Sequence, residues 1–319
     1  MSWAVDRMRS RLRVITDNDY GGDPDGLVQL AHLLLSPSVK VPLVVSSHVR
    51  DVDKPLFDSS GDAAMSGAVA ARRVAELCGR ADVAVVAGSE RGLVRRSEPI
   101  ESAAVQAIIA EAMRDDDRPL FVTCGGGLTE IASAWLLEPR IAERLTLVWI
   151  GGHEYPDCAD PPPGGSDLEY NTEIDLVAAQ VVFDDSDLAL WQVPRDVYRM
   201  AMASRAELLC RLSPAGPLGQ HLFDRLSRLV DLVSSYGMDF GEVYVLGDNP
   251  LVLLTALWTA FEPDPATSKS VIRPCPRLLA SGLYEERLDG RPIRVFTSID
   301  RRLMLDDLFA KLDLHSAAD

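Results

Sequence analysis

Short apolar runs alternate along this chain with segments whose apolar residues recur at helical spacing. The run Val14-Ile15 predicts a first strand. Leu27, Leu30, Ala31, Leu33 and Leu34 then fall on one helical face, and Pro37 stops that helix. The continuous apolar stretch from Val39 to Ser46 reads as a buried parallel strand. Helical segments follow at Asp62 to Cys78, Ile100 to Met113, Leu128 to Leu137 and Asp175 to Phe183. Strands are expected between them at Val83 to Ala87, Pro119 to Thr123, Leu145 to Ile150 and Leu188 to Val193. Ala206 to Val233 reads as mostly helical with a break around Ser213 to Pro217. Val243 to Leu246 leads into an apolar helix from Leu251 to Phe261. A strand pair around Leu278 to Ser298 and a helix from Arg302 to Leu312 close the chain. This alternation predicts an α/β fold: a single domain with a mostly parallel, Rossmann-like sheet and helices on both faces.

Polar clusters recur where the expected strands end. The first is the most concentrated: Asp17, Asp19, Asp23 and Asp25 stand within nine residues, interrupted by Gly21 and Gly22. Carboxylates crowded in one turn stay ionised together only where a cation or a set of donors compensates them. Hard cations such as Ca²⁺ and Mg²⁺ take such oxygens, so the stretch is a candidate metal site. A solvated acidic loop with Asp23 as a helix cap is the plainer alternative. His48 follows the second strand, as a structural or a functional residue. Gly125-Gly126-Gly127 follows the Pro119 to Thr123 strand, Gly151-Gly152-His153 follows another, and Asp248 precedes the Leu251 helix. Ligands of open α/β sheets sit outside the carboxyl ends of strands, so these clusters would converge on one pocket. The Pro-, Asp- and Gly-rich stretch from Glu154 to Leu168 is a long irregular connection, often functional.

Composition narrows the classes. The 319 residues suit one large α/β domain, and the net charge of -16 offers no basic footprint for nucleic acid or anionic membranes. Five scattered cysteines without a C-x-x-C argue against a disulfide framework or zinc site and for a reducing compartment. The polar, basic start does not read as a secretory signal, and no apolar run reaches a membrane span, so a cytoplasmic location is expected. A nucleotide-cofactor reading finds neither a G-x-G-x-x-G fingerprint nor a phosphate-loop lysine.

Together the clusters resemble the nucleoside hydrolase superfamily, which shares a D-x-D-x-x-x-D-D signature, a G-x-L-T-N turn, an E-F-N segment and a late H-D pair. The matching residues are Asp17, Asp19 and Asp23; Gly127-Leu128-Thr129; Glu169-Tyr170-Asn171 with Asp175; and Asp248. The likeness runs over a domain from 13 to 312, with 1–12 as an N-terminal extension. It implies hydrolysis of the N-glycosidic bond of a ribonucleoside or related N-riboside, dependent on Ca²⁺. Asp19 would be base and metal ligand, activating a metal-bound water. Asp25, Asp248 and the Gly125 carbonyl would complete the metal set, with Asp17 in support. Asp23, His48, Glu169, Asn171 and His153 would contact substrate. A homo-oligomer, dimer or tetramer, is also implied. The sequence departs from the pattern at Pro24, which stands at the last Asp of the signature with Asp25 one residue on. It departs at Glu130, in place of the Asn of L-T-N, and at Gly247, in place of the late His. Another donor to the leaving group would then be needed, with His153, Tyr155 and Tyr20 as candidates. Two other classes stay open: a nucleoside- or ribose-binding protein without turnover, and a Mg²⁺-dependent phosphohydrolase using Asp17 as nucleophile.

Overall fold

A computed structural model describes residues 8–57, 62–259, 261, 264–265 and 267–318. Its centre is an eight-stranded sheet. In chain order the strands are β1 (Leu12–Asn18), β2 (Val39–Ser46), β3 (Ala84–Ala87), β4 (Leu120–Cys124), β5 (Leu145–Ile150), β6 (Ala189–Val193), β9 (Lys269–Pro274) and β12 (Pro292–Ser298). Their spatial order is β3-β2-β1-β4-β5-β6-β12-β9. All neighbours are parallel except β12 and β9. Every residue of β1 is buried, as a strand covered on both faces requires. The edge strand β9 presents Lys269 and Pro274 outward, which discourages further pairing.

Two apolar layers cover the sheet. On one face pack α1 (Asp25–Leu34), α3 (Ala63–Leu77), α9 (Arg205–Leu212), α10 (Gly216–Ser235), α11 (Pro250–Ala256) and α12 (Arg301–Ser316). On the other lie α4 (Ala103–Ala112), α5 (Thr129–Leu137) and α7 (Leu176–Gln180). The short helices α2 (Lys54–Phe57), α6 (Tyr170–Ile174) and α8 (Arg195–Tyr198) carry little periodicity and were not expected. The helix expected over Asp175 to Phe183 continues past α7 as a π-helical turn, Val181–Asp185. The helix expected from Leu251 to Phe261 stops at Ala256; residue 260, like residues 1–7 of the expected extension, lies outside the described residues.

The C-terminal strand pair needs correcting. Its last member, β12, pairs with β6 and β9 in the main sheet, while β10 (Arg277–Leu278) and β11 (Tyr284–Glu285) form a separate two-stranded ladder. The Val243 run is β8 (Val243–Val245), outside the main sheet and antiparallel to β7 (Met202–Ser204). Each correction is a question of which strand lies beside which, and apolar pattern says nothing about partners.

One topological fact places the site. From β1 the chain builds outward through β2 and β3, then returns to add β4, β5 and β6 on β1's other side. The crevice between the carboxyl ends of β1 and β4 is therefore the switch point where such sheets hold ligands.

Candidate active site

Across that crevice the two chain segments nearly touch. A Cβ at Gly125 would lie 2.4 Å from the Asn18 amide nitrogen, and one at Gly126 3.3 Å from Asp19. Only glycine fits after β4, where the backbone must approach the acidic loop closely. Trp149, fully buried on β5, donates from Nε1 to the Gly126 carbonyl at 3.0 Å and fixes this turn.

The acidic loop is a tight turn: the Gly22 N–H donates to the Asp19 carbonyl at 2.6 Å. A Cβ at Gly21 would stand 2.4 Å from the Ala63 carbonyl, where the loop packs against the start of α3. The Asp19 N–H donates to Asn18 Oδ1 at 2.9 Å. Asp23 Oδ1 accepts the Asp25 N–H at 3.1 Å and the Tyr244 hydroxyl at 2.5 Å. Pro24 ends the loop as the residue before α1, so Asp25 opens the helix with its carboxyl directed at the Asp248 N–H, 3.2 Å away. Asp248 Oδ2 in turn accepts the Asn18 amide at 2.9 Å.

Beside these groups opens one cavity of about 460 Å³. Asp19, Asp23, Asp25, Gly125, Asn171 and Asp248 stand in its wall, so Pro24 leaves Asp25 beside Asp19 and Asp248. Asn171 spends its amide N–H groups on the Gly125 carbonyl at 3.0 Å and the Ile150 carbonyl at 2.7 Å, tying the ends of β4 and β5 together. The remaining expected residues lie outside the lining. Glu169 is fully buried and accepts five hydrogen bonds, from the N–H groups of Gly152, Asn171 and Thr172 and the hydroxyls of Thr172 and Tyr198. His48 is buried, with Nε2 3.1 Å from Thr129 Oγ1 and Nδ1 3.0 Å from the Val49 carbonyl. His153 is buried beside Arg195, with 3.2 Å between Nδ1 and the guanidinium. Asp17 lies inside the sheet with no hydrogen bond to either oxygen among the described residues. Tyr20 and Tyr155 are buried too, their hydroxyls engaged by Thr16 and Gln192.

Sequence reasoning missed much of the opposite wall: Arg50, Asp53, Phe57, Tyr170, Tyr198 and Arg199. Tyr170 was visible within the Glu169-Tyr170-Asn171 segment; the others sit on or beside the short helices α2 and α8, which are too short to carry a periodic signal. Tyr170 donates to Asp53 at 2.8 Å and supports Arg50, whose guanidinium lies 4.3 Å from its ring centre. Tyr198 fills the space opposite Gly247: a Cβ there would be 3.5 Å from its ring and 3.4 Å from Asp25 Oδ2.

Burial pushes the Asp19 carboxyl well above its ordinary range, and Asp248 and Asp23 add to the rise. Asp25 is raised by burial and then by Asp248, Asp23 and Asp19. Asp248 is pushed up to about 7, chiefly by burial. Such a set lacks positive charge, and its donors are all hard oxygens, the chemistry a Ca²⁺-sized cation takes. Among the described residues no three acidic, histidine or cysteine side chains already converge on a common ion position. The amides of Asn18 and Asn171 hold oxygens of Asp248 and Gly125 that a cation would share. In donor chemistry the residues fit the ion.

The comparisons with known proteins agree with this architecture. The Inosine-uridine preferring nucleoside hydrolase of Leishmania major is 33% identical over 163 residues, 43% of this chain and 49% of that protein. The Crithidia fasciculata protein of the same name is 31% identical over 147 residues, 39% of this chain and 44% of its own. The chain thus spans about half the length of these curated relatives. The structure of the Purine-Preferring Ribonucleoside Hydrolase from Gardnerella vaginalis superposes with a TM-score of 0.71 at 16% identity, covering 96% of this chain and 100% of that one, a likeness of fold. The profile of the Inosine-uridine preferring nucleoside hydrolase family matches residues 14–264, most of the chain, and the chain belongs to that family.

Proposed function

We propose that this protein hydrolyses the N-glycosidic bond of a nucleoside to free base and sugar. The observation that supports this most directly is the meeting of Asp19, Asp25, Asp248 and the Gly125 carbonyl with the hydroxyl-binding groups Asp23 and Asn171 in one crevice at the switch point. In the reaction water attacks C1′ as the C1′–N bond breaks. The bonding pair leaves with the base, which takes up a proton, and the sugar passes through an oxocarbenium-like state. Asp19 accepts the proton lost by the attacking water. Asp23 receives sugar hydroxyls, held in place by Tyr244 and the Asp25 N–H. Asn171, anchored by two carbonyls, presents its amide oxygen to the sugar. Asp19, Asp25, Asp248 and the Gly125 carbonyl would hold Ca²⁺. When bound, the ion supplies positive charge that keeps these carboxyls ionised and acidifies water. Phe57 and Tyr170 help to shield the sugar from bulk water.

The test is release of reducing sugar from inosine and uridine, with the Asp19→Asn variant beside the wild type. The expected result is turnover that falls at least about 100-fold in the variant while its thermal unfolding stays cooperative. Near-wild-type turnover of Asp19→Asn removes the assignment. A second reading, binding without turnover, draws on the Asn18 amide already bonded to Asp248. It predicts calorimetric binding of inosine and no free ribose after hours of incubation.

A further inference from the structure

Beside the acidic cavity lies a second one, also about 460 Å³, and Arg50, Tyr170, Tyr198 and Arg199 belong to both walls. Its outer wall is Pro162 to Ser166, part of the long connection singled out in the sequence. The two chambers differ in lining. The first gathers carboxyls; the second is faced by Arg50, Arg195 and Arg199, with Glu173 as its one lining carboxylate.

The three arginines are not equivalent. Arg195 is buried and committed: it donates to both Glu154 oxygens at 2.9 Å and to the Ser166 carbonyl at 2.7 Å. Arg50 is held by Asp53 at 2.7 Å and by Glu173, and stacks on Tyr170. Arg199 has no hydrogen bond or ion pair to its guanidinium among the described residues, yet it stands where the chambers join. A guanidinium without an acid partner at a cavity junction offers a planar fork of donors, which matches phosphate oxygens. A neutral nucleoside offers this fork no anion; a riboside carrying phosphate does.

We propose that the substrate is a phosphorylated N-riboside, its sugar in the acidic chamber and its phosphate bound in the adjoining chamber by Arg199, with Arg50 at its side. This rests on the hydrolase reading and adds the substrate class. Phosphate enters no bond-making step; it supplies binding and orientation to the same cleavage of C1′–N. Arg195 serves instead as a strut, tying Glu154 and Ser166 so that the outer wall keeps its shape.

The experiment measures kcat/KM for inosine and uridine against their 5′-monophosphates, in the wild type and in Arg199→Gln and Arg199→Lys. The monophosphates are expected to be better substrates by about 10-fold or more, the size of a charge-assisted contact. Arg199→Gln collapses that ratio towards one, and Arg199→Lys keeps part of it. A wild-type ratio of one or less, or a ratio unchanged in Arg199→Gln, overturns this inference and leaves the hydrolase reading standing. If no compound is cleaved, the hydrolase reading fails, and calorimetry with inosine and inosine 5′-monophosphate decides the inference separately. Tighter binding of the monophosphate, lost in Arg199→Gln, upholds it; equal affinities overturn it.

Discussion

Asp23 shows how a single side chain acquires its role from neighbours the sequence does not place beside it. Its Oδ1 accepts from Tyr244, 221 positions away, and that phenol stacks on Phe240 with ring centres 5.4 Å apart. The hydroxyl lowers a carboxyl that burial raises, favouring the ionised form that the proposed contact with sugar hydroxyls requires. Tyr244→Phe removes one charge-assisted hydrogen bond and nothing of the ring's packing. The expected outcome is an increase in KM for inosine by about 10-fold with a smaller change in kcat, read from initial rates. An unchanged KM shows that Asp23 is positioned by the Asp25 N–H alone. At this scale the candidates Asp19, Asp23, Asp25, Gly125, Asn171 and Asp248 were legible, because each belongs to a short motif at a strand or helix end. Tyr244 and Arg199 were not, because nothing local distinguishes a tyrosine or arginine that reaches a distant cavity.

At the scale of elements, α6 is only five residues long and has no intrinsic claim to be helical. Glu169 holds it by accepting the N–H groups of Asn171 and Thr172 at its start, while also taking the Gly152 N–H from the end of β5. One buried carboxylate thus fixes both the helix that presents Tyr170 and Asn171 and the loop carrying His153. Glu169→Gln turns one acceptor into a donor facing donors. It is expected to cost about 3 kcal/mol in urea unfolding. A loss below about 0.5 kcal/mol, within the range of ordinary surface changes, refutes this anchoring role. The Glu169-Tyr170-Asn171 segment was recognisable in the sequence, but its description as sugar contact did not anticipate that five internal donors surround Glu169. The pairing of β12 with β6, and of β7 with β8, was equally hidden, since register between distant strands depends on the assembled sheet.

At the scale of the whole molecule, the site region concentrates buried carboxyls beneath an acidic surface. Glu130 is fully buried; one oxygen accepts the Ser89 N–H at 2.7 Å and the other has no partner among the described residues. Burial first, and Asp175 and Glu90 after it, push its carboxyl up to about 7. A folded-state value above the ordinary 4.5 means that its contribution to stability is complete below about 4.5 and is lost as pH rises through about 7. Chelator-treated protein is therefore expected to melt at progressively lower temperature as pH rises from 4.5 to about 7, and to level off above that. Glu130→Gln should flatten that slope, recovering at most about 3 kcal/mol at the alkaline end. A variant whose melting temperature depends on pH as steeply as the wild type's shows that Glu130 is ionised and compensated throughout.

The sequence by itself determined the class of fold, because continuous apolar runs alternating with helical periodicity have few solutions other than a covered parallel sheet. It also marked candidates that share one cavity, because glycines and carboxylates at strand ends are local features. Only the tertiary structure decided which groups share a wall. The switch point between β1 and β4 brings Asp19 to Gly125, and the turn before α11 brings Asp248 to both. The same folding sends His48, Glu169 and His153 into the interior and brings Tyr198, Tyr244 and Arg199 to the cavities or their supports. Contacts between residues hundreds of positions apart depend on how layers pack, and no periodicity along the chain encodes that packing.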